Sequence, residues 1–271
     1  MRTRTALALL VLVATSLSAA EAPAIAARRL AKEAYQTFVD HPYEADLLTK
    51  AGTQLDRAMK LAPKEAWVFL ASSAQVRTAG YKYDTWHEAR NFQPGTLEKS
   101  AELARKAIEA DPKLAEAHVQ LARVYVPLGQ FDEAQRELAI GHQLEPEAFT
   151  VWFEQATLSW KLADGSKARK ALEGARARAK TNAQLLAING LLERMAKGRD
   201  DDREIERIKK ENIALLPGSP WGYANYGAFL LDRGRYDEAV AQYQKALSLG
   251  KYPLAEEQLA KAKALRDAKK R

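Results

Sequence analysis

The residues best suited to metal or acid–base chemistry are the four histidines, His41, His87, His118 and His142. None of them pairs with a second histidine or a carboxylate at the spacing of a zinc site. The sequence also contains no cysteine, no glycine-rich phosphate loop and no nucleophile elbow. We therefore expect a protein that is not an enzyme and that holds no metal and no cofactor.

Three consecutive aspartates, Asp200 to Asp202, raise the question of calcium, which prefers carboxylate oxygens. They directly precede a predicted helix that runs to about Leu216. Acidic residues at a helix N-terminus are favourable because they complement the helix dipole. We therefore interpret the three aspartates as helix-capping residues and not as metal ligands.

The composition predicts which elements position the other side chains. Of the 271 residues, 47% are hydrophobic and 28% are charged, and only 14 are glycine and 10 are proline. Alanine, leucine, lysine, glutamate and arginine dominate, and these residues lose little conformational freedom in a helix. Because the absence of cysteine excludes disulfides, the stability of this all-α chain must come from packing.

The first twenty residues differ from the rest. Arg2 and Arg4 precede an apolar run over residues 6–14, and Ser18-Ala19-Ala20 supplies small residues after it. This order is typical of a cleaved signal peptide at 1–20, which predicts a periplasmic or secreted protein. An uncleaved anchor is the alternative, although the run is shorter than the roughly 20 apolar residues that span a bilayer. We expect no transmembrane segment after cleavage, and no nucleic-acid partner despite the net charge of +7.

A pattern of small and large residues returns every 34 residues. Two similar strings, Phe131-Asp132-Glu133-Ala134 and Tyr236-Asp237-Glu238-Ala239, each follow a turn that contains glycine. Small residues recur at unit positions 8, 20 and 27: Ala122, Ala156 and Gly227; Ala134, Ala168 and Ala239; Gly141, Ala175 and Ala246. Large residues recur at positions 4 and 24: His118, Trp152 and Tyr223; Leu138, Leu172 and Tyr243. Such alternation lets paired helices approach closely and fill a shared core.

At these positions the sequence resembles the tetratricopeptide repeat family, whose unit is a pair of antiparallel helices, A and B. The resemblance implies an all-α, right-handed α-solenoid of about six units within residues 21–271. The units lie at approximately 22–63, 64–114, 115–148, 149–182, 183–219 and 220–253, followed by a capping helix at 254–270. We expect Gly190 to occupy the small position 8 of the fifth unit. We also expect Leu254, Leu259 and Leu265 to cover the apolar end of the stack.

In this family helix A of each unit lines the concave surface, so the resemblance implies a partner-binding groove there. Its predicted contacts are aromatic and basic side chains: Arg123, Phe153, Trp160, Lys161, Arg194 and Trp221. Exposed aromatic and arginine side chains are typical of binding hot spots. For Phe153 and Trp160, burial against the next unit is the alternative.

Some family members bind a partner's C-terminal carboxylate through lysine at position 5 and asparagine at positions 6 and 9. Position 5 of this chain holds Val119, Phe153, Ala187 and Ala224. Only Asn225, at position 6, remains of that set, so the resemblance does not imply the carboxylate clamp. A mixed apolar and basic groove better suits an amphipathic helix or an extended segment.

An insertion at about 80–96 separates the two helices of the second unit. Its aromatic residues Tyr83, Trp86 and Phe92 are a second set of candidate contacts, since loops on rigid scaffolds often carry function. The alternative is that the insertion folds back and packs on the helices beside it.

The sequence therefore predicts a non-catalytic scaffold that binds a protein or peptide partner in its groove, in the cell envelope. One alternative is a structural subunit of an envelope assembly, joined by self-association or through its outer helices. Another is a carbohydrate- or lipid-binding module that uses the aromatic insertion. The repeats specify a surface and not a pathway, so they determine neither the partner's identity nor the oligomeric state.

Overall fold

A computed structural model describes residues 22–40, 44–81 and 92–269. Within these ranges the chain forms thirteen α-helices and no strand, so the predicted all-α fold is confirmed. An isolated antiparallel bridge joins Tyr81 to Phe92. The predicted signal peptide at 1–20 lies outside the described residues.

The chain divides into two compact units, and the first comprises Met1–Leu128. Its helices are α1 (Pro23–Asp40), α2 (Ala45–Leu61), α3 (Ala66–Ala79), α4 (Thr96–Ala110) and α5 (Ala115–Tyr125). Helix α3 packs on α1, α2, α4 and α5. Leucines from three successive helices, Leu30, Leu55 and Leu70, are buried in one core cluster. Burial of this apolar area is the main favourable term in the folding of the unit.

The second unit comprises Gly129–Arg271. Its helices are α6 (Phe131–Leu144), α7 (Phe149–Lys161), α8 (Gly165–Arg178), α9 (Asn182–Lys197), α10 (Asp202–Leu215), α11 (Pro220–Asp232), α12 (Tyr236–Leu249) and α13 (Pro253–Lys269). Each helix from α6 to α13 packs on the next one in the sequence, and α7 also packs on α9. The unit is therefore a run of helical hairpins in which every core is shared between neighbours.

Small residues stand where the helices approach most closely. In α11 and α12, the Tyr243 ring lies over Gly227, and a Cβ atom added to Gly227 would be 3.0 Å from the ring. Ala156 of α7 and Ala168 of α8 have no exposed surface. The predicted small positions 8 and 20 are therefore helix contacts in these pairs.

Trp152 in α7 is held by contacts with α6, with α8 and with the turn between α6 and α7. Its ring lies against Gly174 of α8, where a Cβ atom would overlap the indole carbons. Its Nε1–H donates to the Pro146 carbonyl at 2.7 Å, and the Arg178 guanidinium lies 4.4 Å from the ring centroid. The His142 ring meets it edge-on at 5.3 Å. A tryptophan held in this way packs α7 against both neighbouring helices.

The expectation for Gly190 is wrong. Gly190 is exposed, and no atom lies within 4 Å of where its Cβ would be. Its neighbour Asn189 is fully buried instead and donates from Nδ2 to Oδ1 of Asn212 in α10, at 2.8 Å. The register of α9 is therefore offset by one residue from the predicted one. The polar bond explains why a medium-sized side chain is tolerated at this contact.

The capping helix α13 also packs differently from the prediction. Ala255 and Ala262 are completely buried on it, and Leu259 is partly buried. Leu254 and Leu265 are 57% and 37% exposed, so the expectation that they cover the end of the stack is wrong. Alanines let α13 approach α11 and α12 closely, and this places the two leucines on the outer side.

The three turns that precede α6, α8 and α12 share one unusual backbone conformation. Their central residues Gly129, Ala163 and Gly234 have φ angles of 74°, 59° and 68°. All three stand at position 15 of the 34-residue unit. Ala163 adopts this left-handed conformation without the freedom of glycine, which costs about 1–2 kcal/mol for an L-residue. The close packing of α7 on α8 therefore dictates the turn even where the residue type disfavours it.

The aspartates before α10 bind within the protein. Asp201 is the N-cap of α10, and its side chain accepts a hydrogen bond from the Glu204 amide at 3.1 Å. Asp202 accepts from Nε of Arg233 at 2.7 Å. The predicted capping role is therefore confirmed for Asp201, whereas Asp202 forms an ion pair with Arg233. In the part of the chain that the structure describes, no group of three histidines, aspartates or glutamates is placed to hold a metal ion.

Ion pairs tie α10 to the helix pairs on both sides. Arg169 and Arg176 of α8 lie 3.1 Å and 2.7 Å from carboxylate oxygens of Glu204 and Glu211. On the other side, the Arg235 guanidinium lies 2.6 Å from Glu206. The acidic side chains of this helix are thus engaged by basic side chains of its neighbours.

Glu206 has the most strongly perturbed carboxylate of this set. It receives hydrogen bonds from Arg235, Lys210 and Tyr226, which together lower the pKa of Glu206 to about 2. A folded-state pKa below the unfolded value of about 4.5 means that the ionised carboxylate stabilises the fold above pH 4.5. This contribution is lost as the pH falls from about 4.5 towards 2.

We expect Gly174→Ala to lower the free energy of unfolding by about 1–3 kcal/mol, because the new methyl group overlaps the fixed Trp152 ring. The matched change Gly190→Ala, in the open interior of α9, should raise it by about 0.5–1 kcal/mol. Urea unfolding followed by circular dichroism measures both. Two changes of the same sign would contradict the assigned contacts.

We expect Glu206→Gln to flatten the acid limb of the stability curve. Above about pH 5 the variant should be less stable than the wild type by a constant amount, and the difference should shrink as the pH falls towards 2. The control Glu257→Gln changes an exposed residue of α13 and should keep the wild-type shape. Thermal unfolding at pH values from 2 to 7 makes the comparison. A gap that widens towards low pH would show that the assignment is wrong.

Candidate partner-binding face

Phe92, a predicted contact of the insertion, packs at its base. It is 8% exposed, its ring meets Tyr81 edge-on at 5.2 Å, and the Arg77 guanidinium lies 5.7 Å from the ring centroid. The Gln93 amide donates to the Gly80 carbonyl at 2.8 Å, so the two ends of the insertion meet. Phe92 therefore closes this loop and presents little surface to a partner. The other two candidates, Tyr83 and Trp86, lie outside the described residues.

Arg123, on α5 of the first unit, is also buried, at 8% exposure. Its Nη1–H donates to Oε1 of Gln120 at 3.1 Å, and Gln120 donates in turn to the Ser73 hydroxyl at 3.2 Å. Ser73 and Ser100 exchange further bonds between α3 and α4. This polar network joins α3, α4 and α5. Arg123 is therefore a buried structural residue and not the exposed contact that the sequence predicts.

Phe153 lies partly within the core of the second unit. Its ring stacks on Phe149 at a centroid distance of 5.6 Å and an angle of 13°. Both rings pack against the buried cluster formed by α7, α8 and α9. Part of the Phe153 side chain is therefore buried against the next hairpin, which is the alternative prediction, and the rest is accessible.

Trp160, Lys161 and Arg194, three of the predicted contacts, come together on the second unit. Nζ of Lys161 lies 4.4 Å from the centroid of the Trp160 ring, and the Arg194 guanidinium carbon lies 5.2 Å from it. Both distances are within the range of cation–π attraction. Two basic groups from two different A helices are thus held at one indole ring.

The Trp160 ring forms one wall of an open cleft of about 440 Å³. We call it the Trp160 cleft, and its lining residues are Trp160, Lys161, Ala163, Gly165, Met195, Gly198 and Arg199. Because Ala163 and Gly165 flank the turn between α7 and α8, no large side chain of that turn fills the cleft. The volume is within the range typical of small-ligand pockets.

The sequence prediction does not include Arg199 and Met195. Arg199 lies in the turn between α9 and α10, which is longer than the corresponding turns and has no counterpart in the 34-residue pattern. Its guanidinium donates to Glu204 at 2.7 Å. Met195 lines the cleft although only 4% of it is exposed. The sequence signal for the correct register is Thr181, a favourable N-cap residue, which indicates that α9 begins earlier than predicted.

Among the predicted aromatic contacts that the structure describes, Trp221 is the most exposed, at 43%. It stands at the start of α11, and Nδ2 of Asn225 donates to its backbone carbonyl at 3.1 Å. Trp160 is at unit position 12, near the end of α7, whereas Trp221 is at unit position 2. The two positions differ by ten residues, which is an offset of about 15 Å along a helix axis. The described contacts do not join Trp221 to the Trp160 cleft.

Together these residues offer apolar and basic contacts. Indole and methionine side chains bind apolar groups, while lysine and arginine donate hydrogen bonds to carbonyl or carboxylate oxygens. No helix within the described ranges is long and apolar enough to cross a membrane.

Comparison with known proteins agrees with this fold. Models of the tetratricopeptide repeat match residues 92–141 and 222–251. No curated protein matches the sequence. Among solved structures, an APC/C hetero-tetramer, Cut9–Hcn1, is similar with a TM-score of 0.53 and 15% identity, over 89% of this chain and 50% of that one. Yeast Tom70 is similar with a TM-score of 0.51 and 16% identity, over 90% and 55%.

A third solved structure, of MamA, has 22% identity and a TM-score of 0.44, over 62% of this chain and 92% of that one. This chain spans about half the length of the Cut9–Hcn1 and Tom70 chains. Their similarity concerns the fold alone. The two matched segments and the repeated helical hairpins thus show a chain that is similar to tetratricopeptide repeat proteins at residues 92–141 and 222–251 and in its fold.

Proposed function

We propose that this chain is a non-catalytic scaffold that binds a protein or peptide partner through the A helices of its second unit, α7, α9 and α11. A tetratricopeptide fold suggests a protein–protein interaction scaffold. The observation that carries the proposal is the Trp160 cleft, where an accessible indole is bordered by basic side chains. Tryptophan and arginine are the residues most enriched in binding hot spots.

The indole ring of Trp160 is positioned before a partner arrives. Lys161 and Arg194 contact the ring, and the ring packs against the buried cluster of α7, α8 and α9. Ordering a side chain at an interface costs about 0.5–1.5 kcal/mol, so a side chain that is already ordered binds at a smaller entropic cost. The cleft thus offers exposed apolar surface, and its Trp160 side chain needs little reorganisation when a partner binds.

Trp221 supplies a second anchor on the same set of A helices. An extended segment or an amphipathic helix is a suitable partner for a face of this mixed apolar and basic character. Phe153 and the cleft residues Lys161 and Arg194 complete the proposed contacts.

We place this scaffold in the cell envelope as part of the proposal. The support is the signal-like order of charge, apolar run and small residues in 1–20. Cell fractionation followed by N-terminal sequencing of the recovered chain tests this part. Recovery of the intact N-terminus in the cytosolic fraction would contradict it.

The binding face is tested by photocrosslinking in envelope extract. A photoreactive residue in place of Leu162, which is 48% exposed beside the cleft, should capture a discrete partner. The same residue in place of Ile140, an exposed position on helix α6, should not. Trp160→Ala or Trp221→Ala should weaken capture about tenfold or more, because truncation of a hot-spot tryptophan costs about 2 kcal/mol or more.

Circular dichroism and thermal unfolding must show that each variant is folded. Trp221→Ala is the safer variant in this respect, because the side chain is largely outside the core. Capture from position 162 that is equal in the wild type and in both folded variants would overturn the proposed face.

A further inference from the structure

The Trp160 cleft carries an unbalanced charge. Two of its seven lining residues, Lys161 and Arg199, are basic, and Arg194 adds a third basic group through its contact with the Trp160 ring. In the part of the chain that the structure describes, none of the lining residues is acidic. A carboxylate of this chain therefore does not line the space between these cations.

Arg194 is the least neutralised of these groups. Its guanidinium carbon lies 5.2 Å from the Trp160 ring centroid, and no carboxylate of the described residues forms an ion pair with it. A guanidinium has five N–H donors, and an indole face satisfies none of them as an oxygen acceptor does. Lys161 adds a second positive charge at the same ring.

Other arginines of the second unit contrast with Arg194. Arg169, Arg176 and Arg233 all bind carboxylates of this chain within 3.2 Å. Arg199, at the rim of the cleft, is neutralised in the same way by Glu204. Among the described arginines of this unit, Arg194 and the exposed Arg203 of α10 form no ion pair, and of these two only Arg194 lies at the Trp160 ring.

We infer that the Trp160 cleft binds an acidic segment of the partner, with a side-chain carboxylate at Arg194 and Lys161 and an apolar side chain against Trp160. This inference rests on the proposed function and specifies the chemistry of its partner. Opposite charges across an interface accelerate association and exclude basic competitors. A planar guanidinium also suits a carboxylate because it can donate two parallel hydrogen bonds.

The test uses the full chain and two pools of fluorescein-labelled 12-residue peptides with amidated C-termini. One pool carries aspartate or glutamate at half of its positions and leucine or phenylalanine at the others. The second pool has asparagine and glutamine in place of the acids. Fluorescence anisotropy should show binding of the acidic pool at least about tenfold tighter than that of the amide pool. An increase in salt from 50 to 200 mM should weaken the binding of the acidic pool.

Three variants connect this preference to the cleft. Arg194→Gln should weaken binding of the acidic pool about fivefold or more, and Arg194→Lys should weaken it less because the charge is kept. The control Lys170→Gln removes one positive charge from an exposed site of α8 that does not line the cleft, and it should change affinity less than twofold.

The results that would contradict the acidic segment can be distinguished from one another. Equal binding of both pools, or equal effects of Arg194→Gln and Lys170→Gln, would overturn the acidic partner while leaving the binding face to the crosslinking test. Failure of both pools to bind would also overturn the inference. Arg194-dependent binding to vesicles with 30% anionic lipid, without binding of the acidic pool, would assign the charge to a membrane surface and reject the acidic segment.

Discussion

Close approach between helices is the constraint on which the rest of this structure depends. The chain has no cysteine, so no disulfide holds the hairpins together. Their stability comes from contacts such as Trp152 on Gly174 and Tyr243 on Gly227, where a large ring fills the space left by a missing side chain. Interiors of this kind are close-packed, and even one added methyl group disturbs them. The positions of all other side chains follow from this spacing.

The sequence pattern predicts these contacts well because residue size is a local property that recurs every 34 residues. It predicts them wrongly where a choice depends on partners far along the chain. Asn189 takes the place expected for Gly190 because Asn212 offers it a hydrogen bond inside the core. The rotation of α13 that buries Ala255 and exposes Leu254 is likewise decided by the shape of α11 and α12. Size alone contains no information on either choice.

The candidate site shows the same division. Unit positions predict that Trp160, Lys161 and Arg194 lie on one surface, because successive A helices lie side by side. They do not predict how far other side chains cover a position. Arg123 is buried through Gln120, whose partner Ser73 is 47 residues away in the sequence. The cleft residue Arg199 belongs to a long turn outside the repeat.

The same ion pairs that join the helices also explain why positive charge remains at the cleft. Glu204, Glu206 and Glu211 of α10 each bind an arginine of a neighbouring hairpin. A carboxylate held in this way by a structural partner is not available to Arg194. These three glutamates therefore serve the contacts between hairpins, while Arg194 at Trp160 forms no ion pair with a described carboxylate. Stability and the proposed recognition thus draw on different members of one set of charged side chains, and the proposed acidic partner would supply a carboxylate to Arg194.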